Sequence, residues 1–290
     1  MLKKIACLVL SFIMCISLFC GVFALSVKCV LGDGRYWIKC ADKLDLYASA
    51  EKSLELKMAS FSIPSGIPES VFNELVTQEM IKEHFSEQFE SASRGEIYSV
   101  DEEELKAYFV KGFEQYAIEN GYEITDETNE GISGLADYCV DEYQGYVIMP
   151  IFTLLIRYIY DYTGEIIKLS VASFVIFAMS LTVLLVFMKK RSFGYISYSL
   201  SGTSLFCVLP FVLVYAFKVL NEFYFDPLYM YKLLVEVIKG YSVMLAFAAL
   251  AVLFVGAGLA ICDFVVSNKR KDTAAKEVKV KSEKPDINGI

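Results

Sequence analysis

Residues 169–188 read LSVASFVIFAMSLTVLLVFM, twenty positions without a charge, and Lys189-Lys190-Arg191 follow at once. At 1.5 Å of rise per residue the run spans roughly 30 Å as a helix, the hydrocarbon thickness of a bilayer. Lys and Arg are retained on the cytoplasmic side, so the basic cluster marks the inner end. The chain before Lys168 then faces the opposite side.

The composition agrees with a membrane protein. The chain has 290 residues, 56% of them hydrophobic, and a mean hydropathy of +0.46. Its apolar residues come in blocks rather than at core periodicity. The net charge of -8 hides a division. Asp33–Glu165 holds 10 Lys and Arg against 27 Asp and Glu, a net of -17, and the remainder is +9. Such an acidic segment repels phosphate, which argues against nucleic acid as a partner. It suits a hydrated surface, a cation or a basic partner.

Lys3 and Lys4 precede an uncharged run, Ile5–Val27. Ala24-Leu25-Ser26 offers a signal-peptidase pattern, yet the run is long enough to span. We read residues 1–31 as an uncleaved signal anchor, N-terminus inside. The third span is expected over Tyr195–Phe217, kinked by Pro210, and the fourth over Ser242–Val266. Lys269-Arg270-Lys271 closes the fourth on the cytoplasmic side. Between these two, Asp226-Pro227 reads as a helix start, and Phe223, Tyr224, Phe225, Tyr229 and Tyr231 as an interfacial aromatic belt. Tyr36 and Trp37 are expected at the same depth.

The segment 32–165 shows helical spacing and no strand pattern. A helix over Lys39–Met58 carries Leu44, Tyr47, Leu54 and Leu56; another carries Val71, Phe72, Leu75 and Val76. Thr77 caps a helix with Met80, Ile81, Phe85 and Phe89. Ser99 and Glu102 form a capping box for one with Leu105, Tyr108, Phe109, Phe113 and Ala117, ended by Gly121. Thr125 caps one with Ile132, Leu135, Ala136, Cys139 and Tyr143. Several apolar stripes close a modest bundle core. After Pro150, Ile151–Ile167 holds Arg157, Asp161 and Glu165, and reads as an interfacial extension of the second span.

The expected fold is therefore an all-α integral membrane protein. Four transmembrane helices accompany a helical extracytoplasmic domain (32–165) between the first and second. A three-helix transmembrane region (166–268) and a disordered basic tail (269–290), with Lys276, Lys279, Lys281 and Lys284, complete the chain.

Candidate chemistry is sparse. His84 is the single histidine. Glu83 and Glu87, or Asp137 and Asp141, would be its partners in a metal site, but no metal-ligand spacing supports one, and a solvated surface residue is expected. Asp101–Glu104 is explained by the dipole of the helix it opens. Tyr160-Asp161 and Asp263 loosely resemble intramembrane aspartyl protease motifs. They fall at opposite bilayer faces, about 30 Å apart, where two carboxylates cannot share a proton. Of eight cysteines, Cys29, Cys40 and Cys139 lie at or beyond the outer face, and Cys40 with Cys139 is the favoured disulfide pairing. No ionisable residue sits at the centre of a span, so a transport relay lacks its carboxylate. Ser197, Ser199, Ser201, Thr203 and Ser204 are suited to interhelical bonds, and Gly256 with Ala260, or Ser242 with Ala246, to close helix approach.

In topology, four spans with the large outer domain between the first two, the chain resembles division-associated permease-like proteins. Those couple a cytoplasmic ATPase to wall hydrolases, and usually carry a cytoplasmic segment before the first span. No motif is shared. The resemblance implies a coupling subunit. From the residues alone, the expectation is a non-enzymatic plasma-membrane protein with no cofactor and both termini cytoplasmic. Its outer domain would bind a protein or peptide, with lipid and a second copy as further partners through small-residue faces. The alternative is a transporter or channel subunit. Absent Asn-x-Ser/Thr sequons fit a bacterial protein.

Overall fold

The computed structural model describes residues 2–188, 192–222 and 226–282, and these are helical with no strand. In order the helices are α1 (Leu2–Ser26), α2 (Gly34–Lys43), α3 (Leu46–Met58), α4 (Ser62–Ser65), α5 (Glu69–Leu75) and α6 (Gln78–Ser93). They continue as α7 (Glu102–Glu119), α8 (Asp126–Val147), α9 (Pro150–Asp161), α10 (Thr163–Met188), α11 (Ser192–Tyr215) and α12 (Leu228–Ser282). Four stretches are long and apolar enough to cross a bilayer: Lys3–Leu31, Thr163–Met188, Ser192–Tyr215 and Leu228–Val265. The chain is a multi-pass helical membrane protein. Lys189-Lys190-Arg191, Phe223–Phe225 and 283–290 lie outside the described residues.

The contacts divide the chain into two compact units. One gathers α1, α10, α11 and α12 from Ser242 onward. Its helices are joined by hydroxyls: Ser197 Oγ donates to Gly256 O (2.9 Å) and Thr203 Oγ1 to Cys15 O (3.1 Å), two of the residues the sequence suggested, and Ser11 Oγ donates to Tyr195 O (2.7 Å). Gly256 lets Leu200 and the Ser197 carbonyl approach closely, so a small residue serves packing within one chain.

The other unit is Ser26–Gly164 together with Val219–Tyr241. Its core is aromatic. Trp37, Phe72, Phe85, Phe89, Phe109, Phe113 and Tyr143 are all fully buried. The sequence-derived stripes supply most of it, with Leu54, Ile81, Leu105 and Ala136. Leu56 on α3 and Tyr108 on α7 are the exceptions, since both are exposed. Thr77 and Thr125 accept from Met80 N–H and Thr128 N–H as capping residues. Gly121, at φ +73°, follows α7 and takes the left-handed position that favours glycine.

Several expectations change. Trp37 is no headgroup anchor: it stacks on Phe89 (5.7 Å), lies against Phe152 (5.3 Å), and its Nε1–H donates to Leu31 O (3.0 Å). Tyr36 is half-buried and donates to Val237 O (3.4 Å). Tyr229, assigned to an aromatic belt, is buried with Leu233 and Val237 in the same core, and its hydroxyl meets Tyr146 O. Tyr231 donates to Leu220 O (2.6 Å). Apolar rings near a span look alike in sequence whether they meet lipid or each other. The helix expected over Lys39–Met58 breaks at Asp45, whose φ of +50° ends the continuous ladder. Asp101, not Ser99, caps α7, because its carboxylate accepts from both Glu103 and Glu104 N–H.

Of Ile151–Ile167, expected as an extension of the second span, Thr163–Ile167 does begin α10, but Ile151–Asp161 does not continue it. Pro150 opens a separate helix, α9, which buries Phe152, Ile156 and Ile159 in the domain and ends before Tyr162. The turn before it is held by Gln88, 1% exposed, whose Nε2 donates to Val147 O (2.9 Å) while Oε1 accepts from Met149 N–H (2.9 Å). Cys40 and Cys139, the pair the sequence left open as a disulfide, are free, buried thiols, each enclosed by core side chains. Backbone of α12 runs on as helix to Ser282, past Asp272, where an unstructured tail was expected. Ala, Lys and Glu, frequent there, have high helix propensity.

Candidate functional site

The helical domain carries an open cleft of about 630 Å³. Three pieces of chain make it: the turn Pro64–Ile67, the end of α7 from Phe113 to Ala117, and Tyr122–Leu135 at the start of α8. Local chemistry fixes each piece. Gly66, at φ +72°, closes the first turn by donating to Ser62 O (2.9 Å), and Ser62 Oγ donates to Ile67 O (2.6 Å). Past α7, Gly121 N–H donates to Ile118 O (3.1 Å) and Tyr122 N–H to Ala117 O (2.9 Å), which satisfies end carbonyls and turns Tyr122 to the rim. Thr125 then starts α8.

The floor is apolar, from Ile67, Phe113, Ala117, Ile132 and Leu135. Tyr116 and Tyr122, 6.4 Å apart by ring centroid, stand at one side. Ser65 and Thr128 spend their hydroxyls within their own turns, on Phe61 O (2.6 Å) and on Thr125 Oγ1 (3.0 Å). Glu123 supplies the one carboxylate of the lining. An apolar floor with aromatic sides and few polar groups is the composition of a recognition site. No nucleophile–base pair is present in this lining.

Gly131 separates this cleft from ordinary packing. A Cβ added there meets nothing within 4 Å, although the residue lies inside a helix where glycine is costly. By contrast a Cβ on Gly34 would fall 2.2 Å from Phe89 O, so that glycine is a packing requirement. Gly134 and Gly145 in the same helix also have nothing within 4 Å and do not line the cleft, so glycine in the sequence of α8 does not mark it.

His84 is not the solvated residue expected. It is half-buried, its Nδ1 is 2.9 Å from Tyr143 Oη, and Tyr98 lies across the ring at 6.4 Å. Burial lowers its pKa below the usual 6.5, against the opposing pull of Glu83, Glu87 and Glu104. Burial, helped by Glu87, pushes the Tyr98 hydroxyl up to about 12. Glu83 and Glu87 form no ligand set with His84: among the described residues no group of three His, Cys, Asp or Glu is placed to hold a metal. The Cys139 thiol is pushed up to about 12 by burial, with Glu142 adding to it, and Cys40 is raised by burial also. Thiols held protonated in this way are inert.

Comparison of the chain with protein-family models, curated proteins and solved structures finds no match. The reading of function therefore rests on the residues and their geometry.

Proposed function

We propose that this chain is a non-enzymatic membrane protein whose helical domain binds a protein or peptide partner through the cleft at the α7–α8 turn. The cleft itself carries the reading: about 630 Å³, apolar at its floor, and lined by side chains that recognise rather than react. Positive residues support an orientation with the domain outside and both termini in the cytoplasm of a bacterial plasma membrane. In the sequence, Lys3-Lys4, Lys189-Lys190-Arg191 and Lys269-Arg270-Lys271 each stand at the end of a span away from residues 32–165 and 219–241. The transporter or channel alternative drew on the Ser-rich α11. Ser197 and Thr203 use their hydroxyls on Gly256 O and Cys15 O, which favours an assembly role over a pore lining.

Site-specific photocrosslinking in the native membrane tests this. A crosslinker in place of Tyr122, at the cleft rim, is expected to yield one discrete adduct of defined stoichiometry. The same group in place of Leu56, which is exposed outside the cleft, is expected to yield none. A clean homo-oligomer with no adduct at Tyr122 would overturn the reading and return weight to a channel.

A further inference from the structure

We infer that the cleft takes a cationic amphipathic peptide, an apolar anchor flanked by Lys or Arg. This rests on the cleft being the binding site, and adds the chemistry of its occupant.

Both walls belong to stretches without a positive charge. Residues 58–81 and 112–156 contain no Lys or Arg. From the end of α7 to the first turns of α8 the second stretch carries Glu119, Glu123, Asp126, Glu127 and Glu130, all exposed, and Glu123 lines the cleft itself. Among the described residues none of these carboxylates is paired with a cation. Elsewhere in the domain cations are distributed to meet acids: Lys43 with Glu236, Lys57 with Glu142, Lys82 with Asp42 and Lys106 with Asp137. The acids from Glu119 to Glu130 have no Lys or Arg in their own stretch to meet.

Such a rim repels an acidic partner and attracts a basic one. It also argues against a second copy of this domain, which would bring the same negative rim to the same place. The anchor belongs on Phe113, Ile132 and Leu135, while Tyr116 and Tyr122 present ring faces to the flanking cations. Tyr122 is 60% exposed, so its ring is open to a ligand.

The test uses the full chain in phosphatidylcholine nanodiscs, with empty nanodiscs as background. Three short fluorescent peptides are titrated by anisotropy: a Leu/Lys peptide, the Leu/Glu peptide of the same pattern, and a Gly/Ser/Lys peptide of the same charge. The Leu/Lys peptide is expected to bind saturably and at least about tenfold more tightly than either other. Gly131→Leu, which projects a side chain into open space at the cleft, is expected to cost at least about tenfold in its affinity. Gly134→Leu, one turn along α8 and also without a neighbour within 4 Å, is expected to leave it unchanged and serves as the folding control. Glu123→Gln is expected to weaken it several-fold and to reduce its salt dependence.

If the Leu/Glu peptide binds as tightly and is lost in Gly131→Leu, the cleft is a peptide site and the cationic assignment is overturned. If the Gly/Ser/Lys peptide matches the Leu/Lys peptide, the apolar anchor is overturned. If no peptide responds to Gly131→Leu, both this inference and the proposed binding site fail.

Discussion

The two units of this chain solve the same packing problem in different solvents. In the helical domain, phenylalanines such as Phe72, Phe85 and Phe89 are removed from water altogether. In the helix bundle, Phe12 and Phe254 point outward, and buried positions go instead to Ser197, Ser199, Thr203 and Ser242. Water rewards burying a ring. Lipid tails do not, so small residues and hydroxyls that reach a neighbouring helix do the joining there. Polar side chains are structural in both units. In the domain they rescue backbone at a break, as Gln88 does; in the bundle they tie intact helices together.

That contrast gives a ranking of effects. Gln88→Leu removes the partner of Val147 O and of Met149 N–H in a dry core, and is expected to destabilise the domain by about 2–4 kcal/mol. Trp37 is the single tryptophan and lies in that core, so urea unfolding of the full chain followed by its fluorescence reads the domain alone. A loss under about 0.5 kcal/mol would show that the turn finds other partners. Thr203→Ala removes a bond to Cys15 O, and Thr203 Oγ1 also reaches Ser199 O within its own helix. Bonds of this kind in membranes average about 0.6 kcal/mol, and that loss is expected by detergent denaturation followed by circular dichroism. A cost as large as that of Gln88→Leu would erase the distinction between the units.

The smallest effect is on pH. His84 has a lowered pKa in the folded domain, so folding favours its neutral form. Its contribution is full above the unfolded value near 6.5 and is lost as pH falls below it. The Trp37 urea midpoint is therefore expected to fall between about pH 7.5 and about pH 5.5, and His84→Gln is expected to flatten part of that slope. An unchanged slope in the variant would assign the effect elsewhere.

Sequence reading succeeded where one period governed. The uncharged runs identified the spans, and the stripe Ile81, Phe85, Phe89 or Leu105, Phe109, Phe113 identified core faces. It failed where residue type does not reveal the neighbour. Trp37 and Tyr229 are as suitable for a headgroup region as for a core, and only tertiary contact distinguishes them. The cleft was illegible for a related reason. Its residues come from a turn, a helix end and a helix start, each explained locally by caps and glycines. The space among them depends on where Gly66 and Gly121 send the chain. Gly131 is no local clue, because Gly134 and Gly145 of the same helix are equally without neighbours and lie off the cleft.

The segment Val219–Tyr241 gives the domain a particular order of completion. Tyr229, Leu233 and Val237 belong to the same core as Trp37, Phe85 and Tyr143, yet residues 165–218 are synthesised between them. Lys43 meets Glu236 and Ser26 meets Tyr241 across nearly the whole length of that detour. A nascent chain that has made everything through α9 still holds an open groove where these side chains belong. The core closes only after two further spans have left the ribosome, so the first part of the domain to be made waits for a segment synthesised behind both of them.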